Sequence, residues 1–315
     1  MLDPARAGMT VYNRPMLMHS TSLYLATVLI WGSTWFAIKF QLGVVEAEVS
    51  LVYRFLLAAV ILLLFCLITK RNLRFSTSQH FFIALQGLFL FSTNYLIFYW
   101  ATGLMTSGIV ALLFSTVILM NIVNGALFLG QSIKARVVVG AIFGISGIAA
   151  IFWSELISLE NDSSAWQGLW MCLGATFLAS IGNILSARNQ RQNLPVVQTN
   201  AWGMTYGAII MGIYALYTGV PFDYDPATSY SLSLIYLSVF GSIFAFGSYL
   251  TLIGRIGADK TAYAAVLFPV IALSISTLFE DYHWTLLAIF GLALVLFGNY
   301  LVLKKPARPI VTALE

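Results

Sequence analysis

The sequence predicts an all-α integral membrane protein of ten transmembrane helices, built as two inverted five-helix repeats with both termini cytoplasmic. Three observations predict it. Of 315 residues, 60% are hydrophobic and 9% are charged, whereas water-soluble domains carry about 25% charged residues. Ten apolar runs follow one another, each near the ~20 residues that a helix needs to cross the hydrocarbon layer. They are continuously apolar, unlike the alternating strands of a membrane barrel. The connections, finally, alternate in sign. Lys70, Arg71 and Arg74, then Lys134 and Arg136, Arg188 and Arg191, Arg255 and Lys260, and Lys304, Lys305 and Arg308 mark one side. Glu46 and Glu48, then Glu155, Glu160 and Asp162, Asp223 and Asp225, and Glu280 and Asp281 mark the other. Basic connections are retained in the cytosol, so the first set is expected inside. Only Lys39 and Arg54 break the pattern.

The elements follow in order. Residues 1–20, with Asp3, Pro4, Arg6, Arg14 and Pro15, lack the apolar stretch of a cleavable signal; they are expected to be a cytoplasmic tail, with the first span as an uncleaved anchor. The first repeat, residues 21–155, opens with Leu23–Phe40, which ends before Glu46, and Val49–Ile68, which stops at Lys70. Phe81–Tyr99 and Ile109–Leu129 are joined by the uncharged hairpin Thr102–Ser107, and Val137–Trp153 ends at Glu155. An external connection, 156–164, leads to the second repeat, 165–304. Its spans are Gly168–Ala187, Gln198–Tyr217, Leu232–Ile253, Ala262–Leu278 and Thr285–Leu303, followed by a cytoplasmic tail at 305–315.

Sliding the chain on itself by 154 positions superposes Gly87 on Gly241, Tyr95 on Tyr249, Gly103 on Gly257, and Phe114 on Phe268. An odd number of spans per copy turns the second copy over. The loops agree: the turn with Lys134 and Arg136 is matched by one with Glu280 and Asp281. Inverted repeats of this kind hold a substrate near the midplane between the halves.

These residues resemble the drug/metabolite transporter superfamily, in particular its EamA-type ten-helix members. The resemblance rests on Trp31-Gly32-Ser33-Thr34-Trp35-Phe36-Ala37-Ile38-Lys39 in the first span and Tyr53-Arg54-Phe55-Leu56-Leu57-Ala58-Ala59 in the second. Leu267-Phe268-Pro269-Val270 in the ninth span, with Gly291 and Gly298 in the tenth, extends it over nearly the whole chain. Two positions depart from the family pattern: Ser115-Thr116 stands where a proline is common, and Gln131 where a glutamate is. The resemblance implies a cavity lined chiefly by the first, third, fourth, sixth, eighth and ninth helices. It also implies export or exchange of small metabolites, often amino acids, across a bacterial inner membrane.

No Asp or Glu lies well inside a span, which disfavours proton-coupled export through an embedded carboxylate. Lys39 and Arg54 are the intramembrane ionisable candidates, read either as contacts for a substrate anion or as partners of Glu46 and Glu48. Asn94, Asn121 and Asn183, together with Asn124, must face another helix or a wet cavity, because an unsatisfied amide in hydrocarbon is costly. Trp31, Trp35, Tyr95, Tyr99 and Tyr249 lie deep enough to line a cavity or to pack between helices. Pro269 removes a backbone donor and is expected to act as a hinge. Gly140/Gly144 and Gly203/Gly207 have the spacing of close helix contacts.

The net charge of +4 sits in short loops and orients the chain in lipid, so no nucleic-acid partner is expected. Cys66 and Cys172 read as packing residues, and no metal, cofactor or catalytic residue is expected. His19, His80 and His283 lie at or beyond span ends, and no Gly-x-Ser-x-Gly turn occurs, so a membrane enzyme is disfavoured. The expected partners are a small-molecule substrate and membrane lipid. Amino-acid efflux is preferred over exchange of anionic phosphorylated metabolites, and a non-transporting receptor or scaffold is the competing class.

Overall fold

The computed structural model describes residues 20–130, 133, 135–158, 164–256 and 264–303, and the described residues contain helices but no strand. Residues 1–19 of the expected N-terminal tail, Gln131, Lys134, Glu160 and Asp162, the connection with Asp259 and Lys260, and the segment from Lys304 onward lie outside the described residues.

The helices are α1 Ser20–Lys39, α2 Ala47–Ile68, α3 Thr77–Leu90, α4 Thr93–Leu104, α5 Ser107–Phe114, α6 Val117–Leu129 and α7 Ala135–Ser158. After them come α8 Ser164–Arg191, α9 Val196–Thr218, α10 Thr228–Tyr236, a π-helix Leu237–Phe244, α11 Ala245–Ile256, α12 Ala264–Phe279 and α13 Leu286–Leu303. Taking α3–α4, α5–α6 and α10–α11 as single units gives ten helical units among the described residues. Six helical stretches are long and apolar enough to cross a membrane, and three shorter apolar helices accompany them.

Several helices overrun the apolar runs. The third unit extends from Thr77 to Leu104, beyond the expected Phe81–Tyr99. Its extra first turn is polar and held by a capping box: Ser76 Oγ accepts from the Gln79 amide at 3.3 Å, and Gln79 Oε1 from the Ser76 amide at 2.8 Å. Hydropathy detects the part that suits lipid, and capping decides where the helix starts. At the other ends, α6 and α9 stop at Gly130 (φ 66°) and Gly219 (φ 73°), whose left-handed backbone favours glycine.

Interruptions fall at related places in the two halves. The third unit breaks at Phe91–Ser92, where Ser92 Oγ donates to the Leu88 carbonyl at 2.6 Å. Its counterpart, 154 residues on, is Ala245–Phe246, where the π-helix gives way to α11. The fourth unit breaks at Ser115–Thr116, whose hydroxyls donate to the Leu112 and Leu113 carbonyls at 2.6 and 2.7 Å. These hydroxyls compete with backbone amides for carbonyls. The repeat-related position to Ser115 is Pro269, which lies inside the uninterrupted helix α12. The position of the expected hinge therefore corresponds to a helix break in the first half and to a continuous helix in the second.

The principal contacts between the halves are unchanged when the halves are exchanged. The second unit packs on the seventh, the fourth on the ninth and the fifth on the tenth. The first unit contacts the eighth and ninth, mirrored by the sixth against the third and fourth; the second touches the eighth as the third touches the seventh. Glycines permit the closest approaches: a Cβ at Gly298 would lie 2.5 Å from the Gly140 carbonyl oxygen, and one at Gly207 2.5 Å from that of Phe91.

Burial is inverted relative to a soluble protein. Leu25, Leu64, Leu67, Ile68, Leu127, Ile145, Ile213 and Leu216 are exposed, while Thr27, Gln41, Arg54, Gln86, Asn94 and Asn124 are buried. Apolar surface on this scale requires a non-aqueous surrounding.

Candidate functional site

The site is a central cavity between the halves. It is walled by α1 (Trp31, Thr34, Trp35, Ile38), α2 (Arg54), α3–α4 (Leu90, Asn94, Tyr95, Phe98), α5–α6 (Phe114, Val117), α8 (Ala179, Asn183) and α11 (Phe246, Tyr249). The cavity is narrow as it stands, about 50 Å³, well below the volume of sites that hold drug-sized molecules, and it must widen to admit a ligand.

Seven sequence-predicted residues come together here: Trp31, Trp35, Arg54, Asn94, Tyr95, Asn183 and Tyr249. Trp31 packs against Phe246 and Tyr249, at 5.2 and 4.9 Å between ring centroids, and its Nε1 donates to the Gly241 carbonyl at 3.4 Å. Trp35 packs against Phe98 and Phe114, and its buried Nε1 has no acceptor among the described residues. Asn94 is 2% exposed and its Oδ1 has no donor among them. Asn183 Nδ2 donates to Asn121 Oδ1 at 3.4 Å.

Arg54 is 1% exposed. Its Nε donates to Ser242 Oγ at 3.2 Å and its Nη1 to Tyr99 Oη at 3.4 Å, while the guanidinium lies 4.6 Å from the Tyr95 ring centroid. The π-helix makes the receiving surface: Ser242 Oγ donates to Leu237, five residues back. A Cβ at Gly241 would lie 3.0 Å from Thr34 Cγ2 and 3.4 Å from Arg54 Nη2, so glycine lets the π-helix pack closely on α1 beside the guanidinium. No carboxylate lies within ion-pairing distance of Arg54 among the described residues.

The other four candidates stand elsewhere. Tyr99 and Asn121 lie behind the wall, bonded to Arg54 and Asn183 respectively. Pro269 is buried behind the wall, next to Phe268, whose ring backs Phe114 at 5.7 Å. Among the described residues the ninth helix therefore contributes no lining residue, contrary to the expectation, and the second contributes Arg54. Lys39 does not line the cavity. It sits in a separate open recess with Phe36, Met105, Thr106 and Glu280.

There Lys39 Nζ lies 3.4 Å from Glu280 Oε1 and donates to the Met105 carbonyl at 3.0 Å. The alternative of pairing with Glu46 or Glu48 is not realised: among the described residues Lys39 pairs only with Glu280, and Arg54 pairs with neither. The Glu280 carboxylate accepts from the Ser107 amide at 3.1 Å and from the hydroxyls of Ser107 and Ser276, and Ser276 Oγ accepts from the Gly108 amide at 2.8 Å. This cluster binds α1, the start of α5 and the end of α12 at one end of the molecule. Beside it, Gln41 Nε2 donates to the Tyr230 carbonyl at 3.0 Å, and Ser50 Oγ lies 3.0 Å from Tyr230 Oη.

Sequence reasoning missed Phe98, Phe246, Trp35's free N–H and Glu280 with its serines. Phe114 had a usable signal, its superposition on Phe268. For Glu280 the only signal was that it shares the acidic, expected external side with the outer end of the first span.

Comparison with known proteins places these features in a lineage. The sequence model of the EamA-like transporter family matches residues 20–153 and 166–304. Protein PagO of Salmonella typhimurium is 21% identical over 294 residues, covering 92% of this chain and 94% of its own. The uncharacterized inner membrane transporter YedA of Escherichia coli K12 is 28% identical over 304 residues, covering 91% and 92%. The uncharacterized transporter YoaV of Bacillus subtilis is 23% identical over 282 residues, covering 88% and 94%. A crystal structure that is 16% identical in sequence superposes with a TM-score of 0.65 over 90% of this chain and 96% of the other, which shows the same fold.

Proposed function

Because the chain belongs to the EamA-like transporter family, we propose that it is an inner-membrane transporter that exports or exchanges small metabolites, amino acids or related compounds, by alternating access around the central cavity. In this proposal ten helices span the membrane as two inverted repeats, and both termini are cytoplasmic.

The observation that carries it is the joint ownership of one cavity by both halves, with α1, α2 and α4 facing α8 and α11 across it. The exchange symmetry of the inter-half contacts supports a rocking motion of one repeat against the other. The cavity holds polar groups that neighbouring helices leave unsatisfied, as expected where a bound molecule supplies the missing partners. By the charge pattern of the loops, the Lys39–Glu280 cluster belongs to the external end. It then acts as an outer latch, closed in this conformation, and substrate exchange with the outside requires its opening.

Purified protein in proteoliposomes tests this by counterflow. Vesicles preloaded with a mixture of unlabelled amino acids and metabolites should accelerate entry of at least one labelled member, saturably. Ligand binding without flux would assign the protein to the receptor class instead.

A further inference from the structure

We propose that Arg54 is the anion subsite of the central cavity and selects substrates bearing a single carboxylate on an apolar body, with Trp35 Nε1 as a second donor and Asn94 Oδ1 as the acceptor for a donor group on the same molecule. This rests on the transport reading for its setting but stands on separate observations.

Arg54 is a permanent cation, 1% exposed, inside a protein surrounded by lipid. An isolated buried charge is among the least favourable arrangements in such a medium, and charges there are normally paired. The described hydrogen-bond partners of Arg54, Ser242 and Tyr99, are neutral. The Tyr95 face stabilises the guanidinium but supplies no counter-charge. The missing negative charge is therefore to be provided by whatever enters the cavity.

Two further groups in the same wall are incomplete in complementary senses. Among the described residues Trp35 Nε1 is a buried donor without an acceptor, and Asn94 Oδ1 a buried acceptor without a donor. Buried polar atoms in folded proteins are almost always paired, so two orphans beside an unpaired cation describe the polar outline of a ligand. The rest of the wall, with Trp31, Phe98, Phe114 and Phe246, is apolar and aromatic.

The charge count discriminates between anions. A phosphate monoester carries about −1.5 to −2 near neutral pH, which one guanidinium does not balance. Lys39, the other intramembrane cation, lies in a different recess and is held by Glu280. A single carboxylate matches the charge of Arg54, which has no ion-pair partner among the described residues, and the planar two-donor edge of arginine.

The test uses three probes that share a phenyl ring: 3-phenylpropionate, its neutral amide 3-phenylpropionamide, and phenyl phosphate. Binding is measured calorimetrically on the full chain in detergent, and flux in proteoliposomes. The wild-type protein should bind the carboxylate at least about 30-fold more tightly than the amide, because the amide leaves the buried cation unpaired. Arg54→Gln should bring the two within about threefold of each other, with Arg54→Lys between. Should the Arg54 variants not fold, Trp35→Phe, which keeps an aromatic ring and removes the N–H, should weaken carboxylate binding by about fivefold, and unchanged carboxylate binding by this variant would overturn the proposal. Equal binding of carboxylate and amide by the wild type, no binding of the carboxylate, preference for phenyl phosphate, or a carboxylate preference that survives Arg54→Gln would each overturn the proposal. Flux restricted to neutral or cationic compounds would sink the anion subsite and leave transport standing. Arg54-dependent binding without flux would do the reverse.

Discussion

Replacing Glu280 by glutamine isolates the charge of the proposed outer latch, since the amide oxygen still accepts from the Ser107 amide and hydroxyl. At the observed 3.4 Å separation, two unit charges attract by about 1 kcal/mol in water and about 5 kcal/mol at an effective dielectric constant of 20. The Lys39 side chain is 30% exposed and that of Glu280 10%, so the loss lies toward the screened end, about 2 kcal/mol. That corresponds to about a 30-fold shift from the closed toward the outward-open state. Ile38 reports it well, being 2% exposed, in the cavity wall and next to the latch lysine. In an Ile38→Cys background with Cys66 and Cys172, both buried, replaced by alanine, a membrane-impermeant maleimide added outside should react about 30-fold faster after Glu280→Gln. Lys39→Met should give a similar rise, and combining the two should add little, because both remove the same pair. An unchanged rate in a folded Glu280→Gln protein, or fully additive effects, would refute the latch.

Four further outcomes follow from the same geometry. Asn94→Leu removes an unsatisfied buried acceptor, a feature that costs about 1–3 kcal/mol, so thermal stability in detergent should hold or rise while counterflow falls at least about tenfold; a loss of both together would make Asn94 a structural residue. Gly291→Ala places a Cβ 2.6 Å from the Gly147 carbonyl oxygen and should destabilise by about 1–3 kcal/mol, seen as a melting temperature several degrees lower. Gly174→Ala, with nothing within 4 Å, is the control and should not lower it. Ser115→Ala combined with Thr116→Val removes the hydroxyls that hold the α5–α6 break; flux should drop with surface expression retained, and normal flux would show that the backbone break needs no side-chain support. Cysteines at the exposed positions Lys70 and Asp223 should be labelled from opposite faces of the membrane, and labelling from a common face would end the inverted-repeat proposal.

Much of the candidate site was legible because membrane chemistry makes polar side chains conspicuous. Arg54, Asn94 and Asn183 stood out against an apolar background, and Tyr95 and Tyr249 marked the same register in both copies. All five line the cavity. Pro269 and Lys39 misled for different reasons. A proline's missing donor is visible in a sequence, but whether the helix breaks there depends on what packs around it; here the break belongs to Ser115–Thr116. Lys39 was visible as a charge, but its partner lies 241 residues away, and nothing local indicates a pairing of that range.

The sequence by itself determined that the chain is helical and lipid-embedded, and it carries the expectation that one unit is used twice, because hydropathy, loop charge and the 154-residue register are sums over many positions. Only the tertiary structure decided which polar groups are satisfied. Asn121 completes Asn183 and Glu280 completes Lys39, whereas the Arg54 charge, Trp35 Nε1 and Asn94 Oδ1 are left without protein partners among the described residues. The physical reason is that hydrogen bonds and ion pairs act over about 3 Å, so their completion depends on how distant helices meet, whereas the cost of immersing a residue in lipid depends on that residue alone.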